Sequence, residues 1–486
     1  MRLIIILLTV IGGLCLAASA ITSGLSLHPR DIERTISPDG MLDAIVHYAL
    51  PALSPGLALV GICLLILSGL FYLLTRVLDR NPDFGGAKFI LLLMIVQACF
   101  GLIYAHYADH NLNDDSLWYH TQAGNIASGK PVANEDGTPT TYWPIGYSLI
   151  LGLFYRLFGA NVTVAEVLNI FFAAGITLFT YLIGRTLFSG KAARQAALVM
   201  AAWPSIIFFV ILPFADLFLT FLATVIFYLS IKPASRTNTL LLGMMVGLAT
   251  LTRPTFLFFP LVIAFYRLLR DRQWKPVLAQ TAIIILITEL ILLPWQIRNY
   301  RAFDDFILVS TNGGIHAWMG NNPHASGGFI GLWMFIPDST YKWMNRSLNE
   351  VEREQYAYQQ AKTYIKSEPL RAIANWPKKI VYLYYRDSKS VTYGLGDTYK
   401  MLAPVVVCAL IIIAEAYYFI LGAAFLIVLL FSLRRPPSPW LWFVLGSGVY
   451  FTAINLPFIA EGRYHMPLLP LFALVAVTGK AIQNTK

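Results

Sequence analysis

Asp114 and Asp115 stand side by side in "NDDSLWYHTQAGNIASGKP", directly after an apolar run, with Tyr119 and His120 one turn further on. A carboxylate held near a hydroxyl can remove its proton as a bond forms, and a neighbouring acid can cap the helix that follows. The cations that would partner such chemistry are distant in sequence: Arg253 in "LTRP", Arg298 and Arg301 in "QIRNYR", and Arg463 in "AEGRYHMP". Each lies at the end of an apolar stretch, where a charge is costly unless it snorkels to lipid phosphates or lines a polar cavity. Several at one level, opposite a carboxylate pair, point to an anionic lipid headgroup held beside an acid or base. Asp216 in "PFAD" and His465 belong to the same rim. Asn312 falls in a Gly- and Asn-rich segment suited to polyhydroxylated ligands. Each position also has a plainer explanation: a helix cap for the pair, turn formation for Asn312, snorkelling for the arginines.

The elements that must position these residues are membrane helices. Of 486 residues, 57% are hydrophobic and only 13% charged, a balance no ordinary soluble domain shows. Apolar runs of roughly 20 residues, the length a span needs, lie near 3–22, 55–76, 88–107, 163–184, 195–213, 214–231, 238–252, 255–269, 277–295, 402–433, 440–458 and 464–481. The expected fold is therefore an all-α polytopic membrane protein with about twelve transmembrane helices. Pro213 separates the pair between 195 and 231, and part of the long 402–433 run, which carries Glu415, is expected along the interface. Cys15, Cys63, Cys99 and Cys408 all fall in apolar runs, which leaves no disulfide framework or zinc cluster. Residues 1–20 read either as a signal peptide ending in Ala-Ser-Ala or as a first transmembrane helix.

The net charge of +10 collects in short loops between spans, so it sets orientation and excludes nucleic acid as a partner. Those loops hold Arg76, Arg80 and Lys88, then Arg185, Lys191 and Arg194, then Lys232 and Arg236, then "YRLLRDRQWK", then Arg434 and Arg435. If they face the cytoplasm, residues 108–162 and 296–401 lie outside. Parity then makes 142–159 a helix in the outer interface, a place that suits Trp143, Tyr147 and Arg156. A helix over 115–127 precedes it, stopped at Gly129 and Pro131. The second outer segment, roughly 105 residues, includes a helix opened by a Ser347 and Glu350 capping box, with Leu348, Val351, Tyr358, Ala361 and Ile365 on one face. Four parts follow: an extension over 1–87 with two spans, a core over 88–295 containing the 108–162 loop, an outer cap over 296–401, and helices over 402–486.

The series "DDSLWYHTQAGNIASGK", "DGTPTTYWPIGYSLILGLFYRLFG", "LTRP", "PWQIRNYRAFDDFILVSTNGGIHAWMGNNP" and "GRYHMPLLP" resembles bacterial glycosyltransferases of the GT-C superfamily, over about residues 88–482. The closest group is the family 39-like enzymes related to protein O-mannosyltransferases and lipid A aminoarabinose transferases. The resemblance implies a multi-pass enzyme of the bacterial inner membrane that takes a sugar from a polyprenyl-phosphate carrier. Its acceptor would be a periplasmic glycan, lipid or protein. In such proteins an Asp, followed by an acidic or polar residue, precedes a tyrosine by four positions, which Asp115 and Tyr119 match. Here Asp115-Ser116 stands where Asp-Glu is frequent, and the extra acid, Asp114, comes before it.

On that resemblance Asp115, with Asp114 as the alternative, acts as general base in a single inverting displacement. Arg463, Arg298 and Arg253 hold the donor phosphate, and Tyr119, His120, Asp216, Asn312 and His465 contact substrate. No cofactor is required; Asp114, Asp115 and Asp216 could bind a divalent cation, but their spacing is not specific for one. Two alternatives remain: an O-antigen ligase or polymerase using the same carrier, and a transporter of lipid-linked sugar that breaks no bond, although no internal symmetry marks it.

Overall fold

The computed structural model describes residues 2–24, 50–80, 86–108, 112, 114–395, 404–434 and 436–478. Arg435, residues 396–401 of the outer segment and the last residues of the 464–481 run lie outside them. Among the described residues the regular structure is helical, relieved by one isolated bridge between Ala133 and Pro139.

α1 (Arg2–Gly24) and α2 (Leu50–Arg80) meet through small residues. A Cβ on Gly61 would sit 2.8 Å from the Gly12 carbonyl oxygen, so only glycine lets the backbones approach this closely. Thr9 and Ser68 join their hydroxyls across the contact at 2.8 Å. Then come α3 (Gly86–Tyr107), α4 (Asp114–Ala127), α5 (Gly146–Phe158) and α6 (Val162–Leu187), the last opened by the Asn161 side chain accepting from Thr163 N–H. α7 (Gly190–Ala201) is followed by α8 (Pro204–Phe208) and a 3-10 turn, Phe209–Ile211. Pro204 cannot continue the preceding ladder, and the chain bends by 51° there. α9 (Ala215–Ile231), α10 (Arg236–Thr252), α11 (Phe259–Asp271) and α12 (Trp274–Phe303) complete the first half.

The segment expected on the outer side folds into α13 (Gly313–Gly320), α14 (Asp338–Ser347), α15 (Glu350–Ser367), α16 (Pro369–Ala374), α17 (Trp376–Tyr384) and α18 (Lys389–Leu395). It has its own apolar nucleus, in which Trp318, Met319, Met344, Ala357 and Ala361 pack with Ile459. α19 (Pro404–Ser432), α20 (Pro439–Asn455), a 3-10 segment, Gly462–Leu468, and α21 (Leu469–Thr478) close the chain. The main core is largely aliphatic with an aromatic knot: Phe227, Phe259 and Phe443 from α9, α11 and α20 pack together, and Trp440 is buried behind them.

Four details differ from the sequence expectations. Among the described residues α3, α6, α12 and α19 are long and apolar enough to cross a membrane, and the bent α7 and α8 pair makes a fifth candidate, where about twelve spans were expected of the chain. The 3–22 and 55–76 runs lie on α1 and α2, 23 and 31 residues long, and several others fall on shorter helices, such as the 17 residues of α9. α19 is one unbroken helix, and its Glu415 accepts from the Asp387 and Ser388 N–H groups, fixing the approach to α18. The capping box of α15 uses Asn349 and Glu352, because Glu350 is engaged elsewhere: it accepts from the hydroxyls of Thr140 and Thr311, each at 2.7 Å, and from Thr141 N–H at 2.8 Å. Tyr358 and Ile365 stay exposed by 45% and 40%, while Ala357 and Ala361 form the buried stripe of α15.

Candidate active site at the outer rim

α4 carries both carboxylates in its first turn, where the helix dipole favours negative charge. Asp114 is exposed and takes a left-handed backbone, φ 43°, which Asp tolerates better than most residues. Asp115 follows on the inward side, and Tyr119, one turn later, is buried below it. α5 braces this arrangement. Ser148 donates to the Tyr119 carbonyl at 3.1 Å, and Gly152 leaves room for Ile126 and the Ala123 carbonyl. Tyr147 donates to Asn169, whose amide holds the Val210 and Leu212 carbonyls and so fixes the break that leads to Asp216.

Arg463 projects from the 3-10 segment into this rim and is the hub of an ion network. Its Nη2 donates to Asp115 Oδ2 at 2.9 Å, its Nε to Glu461 Oε2 at 3.0 Å, and its Nη1 lies 3.6 Å from Asp216 Oδ2. Arg253 holds the other Asp216 oxygen at 3.2 Å and stacks over Tyr464 at 4.4 Å. Lys389 closes the network on Glu461 at 2.6 Å. Asp115, Asp216 and Glu461 thus face Arg463, Arg253 and Lys389, three charges of each sign.

Two cavities meet at this hub. One, of about 270 Å³, is lined by Tyr119, Asp216, Arg253, Asn312 and Tyr358; the other, of about 920 Å³, by Asp114, Trp333, Tyr382, Arg386, Lys389 and Glu461. Asp115, Trp143, His316, Arg463 and Tyr464 line both. The pair formed by Asp115 and Arg463 therefore stands at the junction of the two cavities. Burial pushes the His316 imidazole down to about 4, with Arg463 and Arg253 pushing the same way against Glu461. A neutral ring faces both spaces. Burial also raises the Glu354 carboxyl to about 7, although it accepts from Gly314 N–H at the start of α13.

The residues singled out from the sequence divide. Asp115, Tyr119, Asp216, Arg253, Asn312 and Arg463 line the cavities together, with Asp114 at the edge of the larger one. Arg298 lies elsewhere. It donates to the carbonyls of Thr140 and Val132 and stacks on Trp295, tying the 128–141 loop to α12. His120 shares a 2.7 Å hydrogen bond with Tyr155 between α4 and α5. His465 is fully buried: its Nδ1–H donates to the Leu383 carbonyl, Nε2 lies 3.4 Å from Asp387, and its ring stacks with Tyr384 and Tyr418. Two residues beyond Arg463 on a 3-10 turn, its side chain leaves on another side. The sequence reading passed over Glu461, Lys389, Tyr464 and His316. Glu461 stands two residues before Arg463, which was a usable signal; Lys389 is 72 residues from its partner and had none. Among the described residues no group of three or more His, Cys, Asp or Glu side chains is arranged to hold a metal ion.

Residues 143–296, from just before α5 through most of α12, match the family model for dolichyl-phosphate-mannose-protein mannosyltransferase. A comparison with curated proteins gives no match. Among solved structures, the chain is similar to the oligosaccharyltransferase AglB from Archaeoglobus fulgidus, in complex with an inhibitory peptide and a dolichol-phosphate. The TM-score is 0.48 at 12% identity, covering 82% of this chain and 50% of that one, so this chain spans about half its length. ArnT from Cupriavidus metallidurans bound to undecaprenyl phosphate aligns with a TM-score of 0.40 at 15% identity, over 82% of this chain and 78% of that one. Both similarities are too weak to carry site assignments. The family match is what upholds the resemblance to GT-C glycosyltransferases: over residues 143–296 the chain is similar to the dolichyl-phosphate-mannose-protein mannosyltransferase family.

Proposed function

We propose that this protein is an inner-membrane glycosyltransferase that moves a sugar from a polyprenyl-phosphate carrier to an acceptor hydroxyl on the periplasmic side. The acceptor is a glycan, a lipid or a protein. The observation that carries the proposal is the pairing of Asp115 with Arg463 at the meeting of two cavities, one for each substrate.

The acceptor oxygen attacks the anomeric carbon as the bond from that carbon to the phosphate oxygen breaks. Asp115 takes the hydroxyl proton, and the carrier leaves as polyprenyl phosphate with one added negative charge. Arg463 stabilises that charge, with Arg253 behind it; fixed cations in a partly buried site do this better than water. The donor phosphate competes with Asp115 for Arg463. Its arrival therefore frees the carboxylate for the acceptor, which explains why a base should start out paired. Asp114, exposed and unconnected to this hub, takes no proton. A single displacement inverts the anomeric centre, and a phosphate leaving group needs no acid.

The test is turnover by the purified protein with a glycosylated polyprenyl phosphate, followed by product analysis. Free polyprenyl phosphate and an inverted glycosidic bond are expected. Release of a diphosphate would place the protein with the ligases or polymerases; movement of intact donor across the bilayer with no product would make it a transporter.

A further inference from the structure

A second charged cavity lies at the opposite end of the same helices. Its wall is built where α9 gives way to α10 and α11 to α12, roughly 24 Å along α10 from the rim. The volume is about 1070 Å³, and Ser235, Arg236, Thr239, Arg270, Asp271 and Gln280 supply much of its polar lining. The N-termini of α10 and α12 both open onto it, adding the positive ends of two helix dipoles.

Its charge is unbalanced. Arg267, behind the wall, is only 1% exposed, and its guanidinium donates to neutral groups: Asn238 Oδ1 at 2.8 Å, the Leu229 carbonyl at 3.4 Å and Gln280. Gln280 passes the contact on to Thr239 at 2.6 Å, and both line the cavity. Arg270 pairs with Asp271 at 2.6 Å and also donates to the Ile231 carbonyl. Arg236 is exposed at the mouth. The cavity lining thus sets two guanidiniums, Arg236 and Arg270, against one carboxylate, Asp271, with a third guanidinium, Arg267, buried behind them among neutral groups, where an uncompensated charge is expensive. The remaining wall is apolar and faces outward: Leu240 and Ile283 line the cavity and are 52% and 45% exposed. A cationic pocket with a greasy outer lip fits an amphiphile with an anionic head.

We infer that this cavity binds the phosphodiester headgroup of an anionic phospholipid, seated between Arg236 and Arg270, with its acyl chains along Leu240 and Ile283. Such a lipid supplies the missing negative charge and ties the α9 to α10 turn to the α11 to α12 turn. It does not depend on the reaction proposed for the rim.

The experiment is native mass spectrometry of the full-length protein in neutral detergent, titrated with phosphatidylglycerol or with phosphatidylcholine of equal chain length. One phosphatidylglycerol should be retained in preference to phosphatidylcholine, with about tenfold weaker retention in Arg236→Glu and an intermediate loss in Arg236→Gln. Unfolding temperature provides the second readout: phosphatidylglycerol should raise it in the wild type and not in Arg236→Glu. Equal retention of the two lipids, or unchanged retention in Arg236→Glu, would overturn the inference. So would an equal rise in unfolding temperature from millimolar inorganic phosphate alone, which would make the ligand a soluble anion.

Discussion

The two ends of α9 and α10 handle buried charge in opposite ways. At the rim, Asp216 opens α9 and Arg253 follows α10, and they join a network in which three cations meet three carboxylates. At the far end Arg270 pairs with Asp271, while Arg267 meets neutral groups and Arg236 stands exposed. A balanced network is stable without a ligand and can exchange one partner for another, which suits a site where an anionic substrate arrives and leaves. An unbalanced one needs a resident counterion. The same helices can thus carry a turnover site at one end and a structural lipid site at the other.

The sharpest way to break that comparison is to remove one arginine from each end. Arg463→Met strands Asp115, Asp216 and Glu461 without their shared cation, and breaking a buried pair costs about 3–5 kcal/mol. Arg267→Met removes hydrogen bonds to three neutral acceptors, each worth about 1 kcal/mol net and about 3 kcal/mol together, but strands no charge, so its loss should be the smaller of the two. Thermal unfolding in one detergent checks both; equal losses would mean that the rim is no more interdependent than the far end.

A smaller effect separates the rim from its supporting cap. The Glu354 carboxyl is raised to about 7 by burial, from 4.5 when unfolded. A raised pKa means stability fully present below pH 4.5 and lost as pH rises through about 7, so Glu354→Gln should stabilise by about 3 kcal/mol at pH 8 and hardly at all at pH 4. Unfolding across that range reads it out; a benefit of Glu354→Gln that does not change with pH would contradict it. Smallest of all, Asn349→Ala removes the cap of α15 and should cost about 1 kcal/mol while sugar transfer per folded molecule stays unchanged.

Much of this was legible before any coordinates. The apolar runs announced membrane helices, parity put a short helix at 142–159, and α5 occupies 146–158. The spacing of Asp115 and Tyr119 is one helical turn, so their shared cavity follows from α4 being a helix. What could not be read depends on long-range choice. "SLNE" and "NEVE" both satisfy the capping-box pattern, and the second prevails because Glu350 is claimed by threonines some 40 and 210 residues away. Arg298 and His465 looked equivalent to Arg463 as charges at membrane depth. Their difference lies in the carbonyls and tyrosines that fold up around them, which no local pattern marks.

The account turns on Asp115, and one paired measurement tests it. Initial rates of polyprenyl phosphate release should be compared for Asp115→Asn and Asp114→Asn, each inserted and folded like the wild type. Loss of a positioned general base predicts a fall of about 10² to 10⁴ for Asp115→Asn, against a change of about threefold or less for Asp114→Asn. Near-full activity in Asp115→Asn, or the large loss falling on Asp114→Asn instead, would contradict the assignment.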